Sequence, residues 1–257
     1  MTDYSHDKVV PFEGSPLGKK QQVAEMFDQI AFRYDFLNHF LSGGIDVYWR
    51  KRAIRQLRGI RDSNGSGAAI LDVATGTADM PILISKYLPE ARITGVDISA
   101  GMLELGRQKV QRSGLQDRIA LQTGDSEALP FPDNCFDAVT AAFGVRNFED
   151  LERGLQEMKR VLRPGGKLVV LECSQPRAPV IRQLYLFYMR LLAPRIARMA
   201  SSNREAYQYL NNSVQAFPEG ERFRRILEAG GYTGTRVRRL SLGTCALYTG
   251  EKPAARN

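Results

Sequence analysis

The sequence predicts an α/β fold, with an open and mostly parallel sheet, strands that alternate with helices and an antiparallel hairpin near the C-terminus. From Ala68 to Glu172, short apolar runs alternate with longer amphipathic stretches, as expected for parallel strands joined by crossover helices. Small or polar residues follow the first three apolar runs, where ligands bind in open parallel sheets. Two later runs rich in β-forming residues flank Leu242-Gly243, a connection suited to a hairpin.

The first apolar run, Ala68 to Val73, lies between Gly67 and Gly76 and is predicted to be a buried strand. Thr75-Gly76-Thr77-Ala78 follows with only small side chains, so a ligand can lie against the backbone before a helix that begins near Met80. The turn lacks the G-x-G-x-x-G series of dinucleotide-binding proteins. This difference argues against a pyrophosphate ligand and is compatible with S-adenosylmethionine. An ordinary strand-to-helix turn remains the alternative.

Two acidic residues stand at the ends of the next strands. Asp97 follows the run Ile93 to Val96, about 20 residues after the first turn, where an acid can accept hydrogen bonds from both ribose hydroxyls. Asp125 follows Ile119 to Thr123 and, with Ser126, is placed to bond an adenine amino group. Either acid taken singly could be a helix N-cap. Both together, after a small-residue turn, favour an adenosyl cofactor without a 2′-phosphate.

The remaining elements complete the predicted fold. Two further parallel strands are expected at Phe136 to Ala142 and Lys167 to Cys173, and the hairpin strands at Thr235 to Ser241 and Thr244 to Thr249. Helices are expected at Lys19 to Phe40, Val47 to Arg58 and Phe217 to Gly230, with glycine ending the last two. A Gly/Ser/Asn linker, Asp62 to Gly67, precedes the first strand.

The segment Pro176 to Met199 predicts an amphipathic helix with cationic edges. Its apolar face contains Leu184, Tyr185, Phe187, Tyr188, Leu191 and Leu192. Its arginines are Arg182, Arg190, Arg195 and Arg198. The simpler interpretation is a scaffold helix packed over the strand ends as a lid. The sharper one is a lid that also receives a polyprenyl chain from a bilayer.

Composition limits the class of protein. A chain of 257 residues accommodates one large α/β domain. The net charge is +8, but the basic residues form no tract with interleaved aromatics, so nucleic-acid binding is not expected. Basic clusters fit solvated faces or attraction to anionic lipid. Three scattered cysteines indicate neither a metal site nor a disulfide framework. No signal peptide or membrane span is predicted, so we expect a cytoplasmic protein.

Several motifs give the chain a resemblance to class I S-adenosylmethionine-dependent methyltransferases, and among them to the ubiquinone/menaquinone biosynthesis C-methyltransferases, from about Lys20 to Glu251. The motifs that carry it are Tyr34-Asp35-Phe36-Leu37-Asn38, Ser42-Gly43-Gly44, Trp49-Arg50, Phe143-Gly144-Val145-Arg146-Asn147 and Arg160 to Ser174. The sequence departs from the family pattern at Asp46, where histidine is usual, and at Ala78, where glycine is usual.

The resemblance implies a seven-stranded Rossmann-like methyltransferase sheet and C-methylation of a polyprenylated demethylquinol, with demethylmenaquinol favoured over a benzoquinol. The alternatives are another aromatic or lipid acceptor, or a non-catalytic adenosyl-binding regulator. The expected cofactor-binding residues are Asp72, Ala74, Thr75, Gly76, Thr77, Asp97, Ile98, Met102, Gly124, Asp125, Ser126 and Ala142. The expected catalytic residues are Arg146, Asn147, Tyr34 and Asn38, with no metal.

Arg146 is expected to stabilise a phenolate or position water, since arginine is too basic to act as the base. The expected layout is an N-terminal helical cover (1–66), a cofactor-binding core (67–175), a lid (176–216) and a C-terminal helix and hairpin (217–257). Transient contact with the inner membrane surface is expected, and a homodimer is left open.

Overall fold

The computed structural model describes residues 4–60, 67–181, 183 and 204–254, without the side chains of residues 5, 33–41, 204 and 207. The side chains of Tyr34 and Asn38 therefore lie outside the described part of the chain. The same is true of the predicted linker before Gly67 and of the predicted lid helix beyond Gln183.

In the described residues, seven strands form one sheet in the order β3-β2-β1-β4-β5-β7-β6. The strands are β1 Ala69–Val73, β2 Arg92–Asp97, β3 Ile119–Thr123, β4 Phe136–Ala142, β5 Leu162–Cys173, β6 Thr233–Leu240 and β7 Cys245–Glu251. The first five strands run parallel, and β7 lies antiparallel between β5 and β6. The predicted fold class is confirmed.

The described helices are α1 Lys19–Leu41, α2 Ile45–Ile54, α3 Asp79–Tyr87, α4 Ala100–Arg112, α5 Leu151–Val161, α6 Arg204–Ala216 and α7 Glu221–Ala229. The two faces of the sheet bury separate apolar clusters because side chains alternate along a strand. Ile70 packs on the face covered by α2 and α3. Leu71 and Val73 pack on the face covered by α5 and α7. A third cluster joins α1, α4 and α6. Among the described helices, none combines the length and the hydropathy needed to cross a membrane.

The predicted helix from Phe217 to Gly230 was wrong at its start. The Phe217 amide donates to Ser213 and closes α6, whereas α7 begins only at Glu221. Gly220 separates the two helices at φ 66° and ψ −130°, a conformation that glycine adopts most easily. Its amide donates to the Tyr248 hydroxyl on β7 at 2.6 Å. This bond fixes the break between the two helices against β7.

The hairpin connection is longer than predicted. The chain turns over Ser241–Gly243 as a short 3-10 helix, with Leu242 at φ 59°, before β7 begins at Cys245. The indole Nε1 of Trp49, on α2, donates to Ser241 Oγ at 2.8 Å. This contact and the backbone of Gly243, which accepts from Ser174 Oγ at 2.6 Å, hold the turn against the main domain.

Candidate cofactor site and active site

A cavity with about 720 Å³ of empty space, including its open mouth, lies at the carboxyl ends of the parallel strands. Of the predicted site residues, those that line it are Ala74, Gly76, Asp97, Ile98, Met102, Gly124, Asp125, Ser126, Ala142 and Asn147. Asp72, Thr75, Thr77 and Arg146 do not line it. Ten of the residues predicted from the strand ends therefore lie at one cavity. The other four lie outside its lining.

The turn after β1 forms one wall of the cavity. Ala74, Gly76 and Ala78 all have positive φ, at 54°, 56° and 65°. Two of these are alanine, which adopts such a conformation only when the surroundings impose it. Gly144 leaves room for this turn, because a Cβ on residue 144 would lie 2.3 Å from the Cβ of Ala74. The backbone of the turn is thus held at close range to the cavity, as an adenosyl ligand requires.

Asp72 and Thr75 shape this turn from behind. The Thr75 hydroxyl donates to Asp72 Oδ2 at 2.7 Å, and the Thr140 hydroxyl donates to Asp72 Oδ1. Burial raises the pKa of Asp72 to about 6, and these two hydroxyls oppose the rise. The buried carboxylate therefore holds the loop through two hydroxyl groups, and its expected contact with the cofactor stays a prediction.

Asp97 joins the first turn to the second strand end. Its Oδ2 accepts from the Gly76 amide at 2.7 Å, and its Oδ1 accepts from the Ser99 amide at 2.9 Å. Burial raises the pKa of Asp97, and the amide bonds oppose that rise. A carboxylate offers about four acceptor positions. Asp97 also lines the cavity, so its carboxylate is within reach of a ligand bound there.

Helix α1 belongs to the segment expected as an N-terminal cover, and it lines one side of the cavity through residues that the sequence analysis did not name. Lys20, Val23 and Phe27 line it from a single helical face, as their spacing of three and four residues requires. Lys20 Nζ donates to Asp125 Oδ2 at 2.6 Å and to Glu127 Oε2 at 2.9 Å. These contacts connect residues more than a hundred positions apart. No local pattern in the sequence connects Lys20 to these two acids.

A second contact fixes α1 over the same region. Asp28 Oδ1 accepts from the Ser99 hydroxyl at 2.5 Å and from the Gly101 amide at 2.8 Å. Asp28 thus supplies a cap to the first turn of α4 from another helix. Together with Lys20, it holds α1 across the cofactor cavity at two points.

Four carboxylates and one ammonium group line the cavity: Asp97, Asp125, Glu127 and Glu149 with Lys20. This excess of negative charge favours a ligand with net positive charge and opposes a diphosphate. S-adenosylmethionine, with its sulfonium and ammonium groups, fits this charge and the close backbone turn. In the described part of the chain, no group of His, Cys, Asp and Glu side chains is placed to hold a metal ion.

Arg146 lies behind the cavity and is held by a buried ion pair. Its Nη1 donates to Glu172 Oε1 at 2.6 Å and also to the carbonyl of Phe143. The backbone amides of Arg146 and Cys173 donate to the same carboxylate. Both charged side chains are buried. The guanidinium thus supports the loop after β4, and its expected role at a substrate oxygen stays a prediction.

Asn147 does line the cavity, and a residue missed in the sequence orients it. The hydroxyl of Tyr209, on α6, donates to Asn147 Oδ1 at 3.2 Å. Burial raises the pKa of Tyr209 well above its ordinary value, so this hydroxyl stays protonated. Tyr209 lies on a helix beyond the predicted core, and no local pattern connected it to Asn147.

Asp46, one of the two departures from the family pattern, is held by a hydroxyl group and a nearby guanidinium. It is buried and accepts from the Ser42 hydroxyl at 2.8 Å, and its Oδ2 lies 3.7 Å from Arg50 Nε. The Arg50 guanidinium in turn lies 5.3 Å from the centre of the Phe143 ring, which lines the cavity. The acid therefore positions a cation against the cavity wall.

Comparison with known proteins supports one assignment. The sequence profile of the ubiE/COQ5 methyltransferase family matches residues 17–252. A demethylmenaquinone methyltransferase of Bacteroides fragilis is 43% identical over 97% of this chain and 100% of its own length. The ubiquinone/menaquinone biosynthesis C-methyltransferase UbiE of Geobacter sulfurreducens is 43% identical over 91% of this chain and 90% of its own length.

Among solved structures, a SAM-dependent methyltransferase of Thermotoga maritima superposes with a TM-score of 0.62. It is 16% identical and the match covers 89% of this chain and 99% of that one. At this identity the likeness shows the fold alone.

Proposed function

This chain belongs to the ubiE/COQ5 methyltransferase family and is a methyltransferase with S-adenosylmethionine as cofactor; from that premise we propose that it methylates a ring carbon of a polyprenylated demethylquinol. Demethylmenaquinol is the proposed acceptor, because several relatives that match over nearly the full chain are named demethylmenaquinone methyltransferase. The proposed setting is the biosynthesis of menaquinone or ubiquinone.

The observation that carries the proposal is the cavity at the strand ends. The positive-φ turn at Ala74 and Gly76 opens backbone to the ligand, and Asp97 presents a carboxylate that bridges this turn and β2. We propose that Asp97 accepts the ribose hydroxyls, and that Asp125 and Ser126 lie against the adenine. The other predicted cofactor residues that line the cavity complete this site, while Asp72, Thr75 and Thr77 hold the turn.

When bound, S-adenosylmethionine supplies an already electrophilic methyl group. The remaining task of this chain is to align an acceptor carbon at about 3 Å and exclude water. Val23, Phe27, Phe143 and Phe148 give the cavity an apolar wall. In the proposal, Asn147 positions the substrate hydroxyl whose loss of a proton makes the neighbouring ring carbon nucleophilic. Arg146 is a positioning residue, and Tyr34 and Asn38 of α1 are further proposed contacts.

The proposal includes a layout and partners. Residues 1–66 cover the cofactor core (67–175), 176–216 form a lid and 217–257 complete the sheet. Reaching a polyprenylated substrate requires transient contact with the membrane, and we place the enzyme on its cytoplasmic face. Association of two copies is a separate proposal that sedimentation equilibrium tests.

The activity is tested by incubating the purified chain with S-adenosylmethionine and a demethylmenaquinol. Mass spectrometry is expected to show the singly methylated quinol, and calorimetry is expected to show binding of S-adenosylmethionine but not of NAD, whose diphosphate would face the acidic cavity. A demethylated benzoquinol serves as the parallel acceptor. Binding of the cofactor without methylation of either quinol would contradict the proposed function.

Replacing Lys20 by methionine tests the role of α1 as a cover. Dissociation of S-adenosylhomocysteine is expected to be about tenfold faster, because two charge-assisted hydrogen bonds that hold α1 over the cavity are lost. Stopped-flow displacement measures this rate. Lys20→Arg should restore slow release. Lys159→Met is the matched control, since Lys159 bonds Gly230 away from the cavity. An unchanged rate in folded Lys20→Met would show that α1 does not limit release.

A further inference from the structure

A set of exposed apolar side chains lies at the carboxyl edge of the sheet, outside the cofactor cavity. Ile45 and Tyr48 on α2, Val180 after β5 and Leu242 in the hairpin turn are 44%, 49%, 67% and 74% exposed. Cations accompany them: Lys51, Arg52, Arg177 and Arg238. We call these eight residues the docking rim. A monomeric soluble surface tends to avoid such a concentration of large apolar groups, which mark interaction sites.

The rim is one surface because its three segments are held together. Trp49 on α2 donates to Ser241 in the hairpin turn. Next to it, Gly243 accepts from Ser174 and packs so closely on Pro176 that a Cβ would lie 3.4 Å from the Pro176 Cα. The pairing of Cys173 with Cys245 sets this turn at the carboxyl end of β5. All three segments therefore meet at the edge of the sheet that carries the cavity.

The helix of the rim has two distinct faces. Asp46, Trp49 and Ala53 are buried against the domain. Ile45, Tyr48 and Arg52 recur at intervals of three and four residues and form a second stripe, about 100° round the helix from the buried one. The Arg52 guanidinium lies 5.9 Å from the centre of the Tyr48 ring. An aromatic ring with a cation above it is suited to the interface between water and lipid, where one end is apolar and the other polar.

The charge of the three segments has one sign at the surface. Residues 45–60, 175–181 and 236–245 contain a single acid, Asp46, which is buried and accepts from Ser42. The cations of the same segments are exposed or half-buried, apart from Arg50. Outside these segments, Glu219 pairs with Arg239 and Glu221 lies near Arg177, but an excess of cations remains. A surface that combines protruding apolar side chains with such an excess is complementary to an anionic bilayer.

We propose that the docking rim seats this enzyme on an anionic membrane, with Ile45, Tyr48 and Leu242 entering the headgroup region and Lys51, Arg52, Arg177 and Arg238 facing lipid phosphates. The rim is adjacent to the cavity, because the Trp49 ring packs 6.0 Å from the ring of Phe143 in the cavity wall. Docking there brings the cavity to the membrane surface from which, in the proposed function, the acceptor comes. Binding to the membrane depends on the rim residues alone, so it can be tested without the quinol substrate.

The test is flotation of the full chain with vesicles of phosphatidylglycerol and phosphatidylcholine. The parent is expected to float with the anionic vesicles, less as salt rises, and hardly at all with phosphatidylcholine alone. Ile45→Ser, Tyr48→Ser and Leu242→Ser together are expected to lower the bound fraction at least tenfold. Arg52→Gln with Arg238→Gln should remove the preference for anionic lipid. Circular dichroism and calorimetric binding of S-adenosylmethionine confirm that each variant is folded.

Tyr87→Ser with Lys86→Gln is the matched control. Tyr87 is also exposed, but it ends α3 just before β2 begins, at the opposite edge of the sheet. This variant should float like the parent. Equal flotation of the parent and the triple rim variant would overturn the proposal. So would a triple variant that loses self-association in sedimentation while flotation is unchanged, because the rim would then be an interface between copies.

Methylation of a short-tailed quinol without vesicles separates this proposal from the proposed function. The triple rim variant should retain that activity. Absence of methylation by the parent, with flotation as expected, would contradict the function and leave the rim intact.

Discussion

Replacing Arg146 by leucine is expected to abolish methyl transfer and to lower the free energy of unfolding by about 3–5 kcal/mol, the cost of leaving a buried charge without its partner. Glu172 would be that charge, since its carboxylate is fully buried and bonded to Arg146 Nη1 at 2.6 Å. The Phe143 carbonyl would lose a donor as well. Chemical denaturation measures the stability, and single-turnover methylation measures the chemistry.

Two controls separate charge from position. Arg163→Leu breaks an ion pair with Asp137 of the same 2.6 Å length, but Arg163 is 38% exposed. Its expected cost is smaller than that of Arg146→Leu, because water reaches the site of Arg163 and Asp137 keeps a hydrogen bond from the Ala69 amide. Arg146→Lys keeps a positive charge beside Glu172 without the planar guanidinium that serves two acceptors. It should remain folded, bind cofactor normally and lose turnover about tenfold or more. Turnover within about twofold of the parent would show that this geometry does not support catalysis.

Replacing Asp97 by alanine is expected to weaken cofactor binding by about 1.5–3 kcal/mol, the range for losing charge-assisted hydrogen bonds. The variant also removes acceptors from the Gly76 and Ser99 amides, so lower affinity alone could reflect a disturbed turn. Asp97→Asn, which keeps a side-chain acceptor, is the milder comparison. Isothermal titration calorimetry measures both.

A ligand without ribose hydroxyls resolves this ambiguity. If Asp97 accepts those hydroxyls, Asp97→Ala should weaken binding of S-adenosylhomocysteine far more than binding of its 2′,3′-dideoxy analogue. The parent should itself prefer the natural ligand by a similar factor. Equal losses for both ligands would mean that Asp97 serves only to brace the turn between β1 and β2.

The sequence determined the fold class because its signals are local. Buried parallel strands require continuous apolar runs, and the runs at Ala68 to Val73 and Phe136 to Ala142 were recognisable for that reason. A turn of small residues and an acid at the next strand end were enough to locate Gly76 and Asp97 at one cavity. Parallel strands end at the same edge of a sheet, so positions in sequence translated directly into proximity.

Local signals were less reliable at element boundaries and for side-chain roles. The start of α7 was misplaced because the chain breaks between α6 and α7 at Gly220, whose amide bonds to Tyr248 on β7. Arg146 was expected at the substrate because it stands, with Asn147, in the loop after the fourth strand. The backbone of that turn directs the two side chains differently, one to Glu172 and one to the cavity.

The sequence by itself thus determined the type of sheet, which strands end in turns that face the ligand, and the class of ligand that binds there. Only the tertiary structure decided which side chains close the site. Lys20 reaches Asp125, Tyr209 reaches Asn147 and Trp49 reaches Ser241 across 62 to 192 positions of sequence. Such pairs leave no periodic trace in the chain, because a hydrogen bond depends on distance and direction in space, and these are fixed only after the helices pack on the sheet.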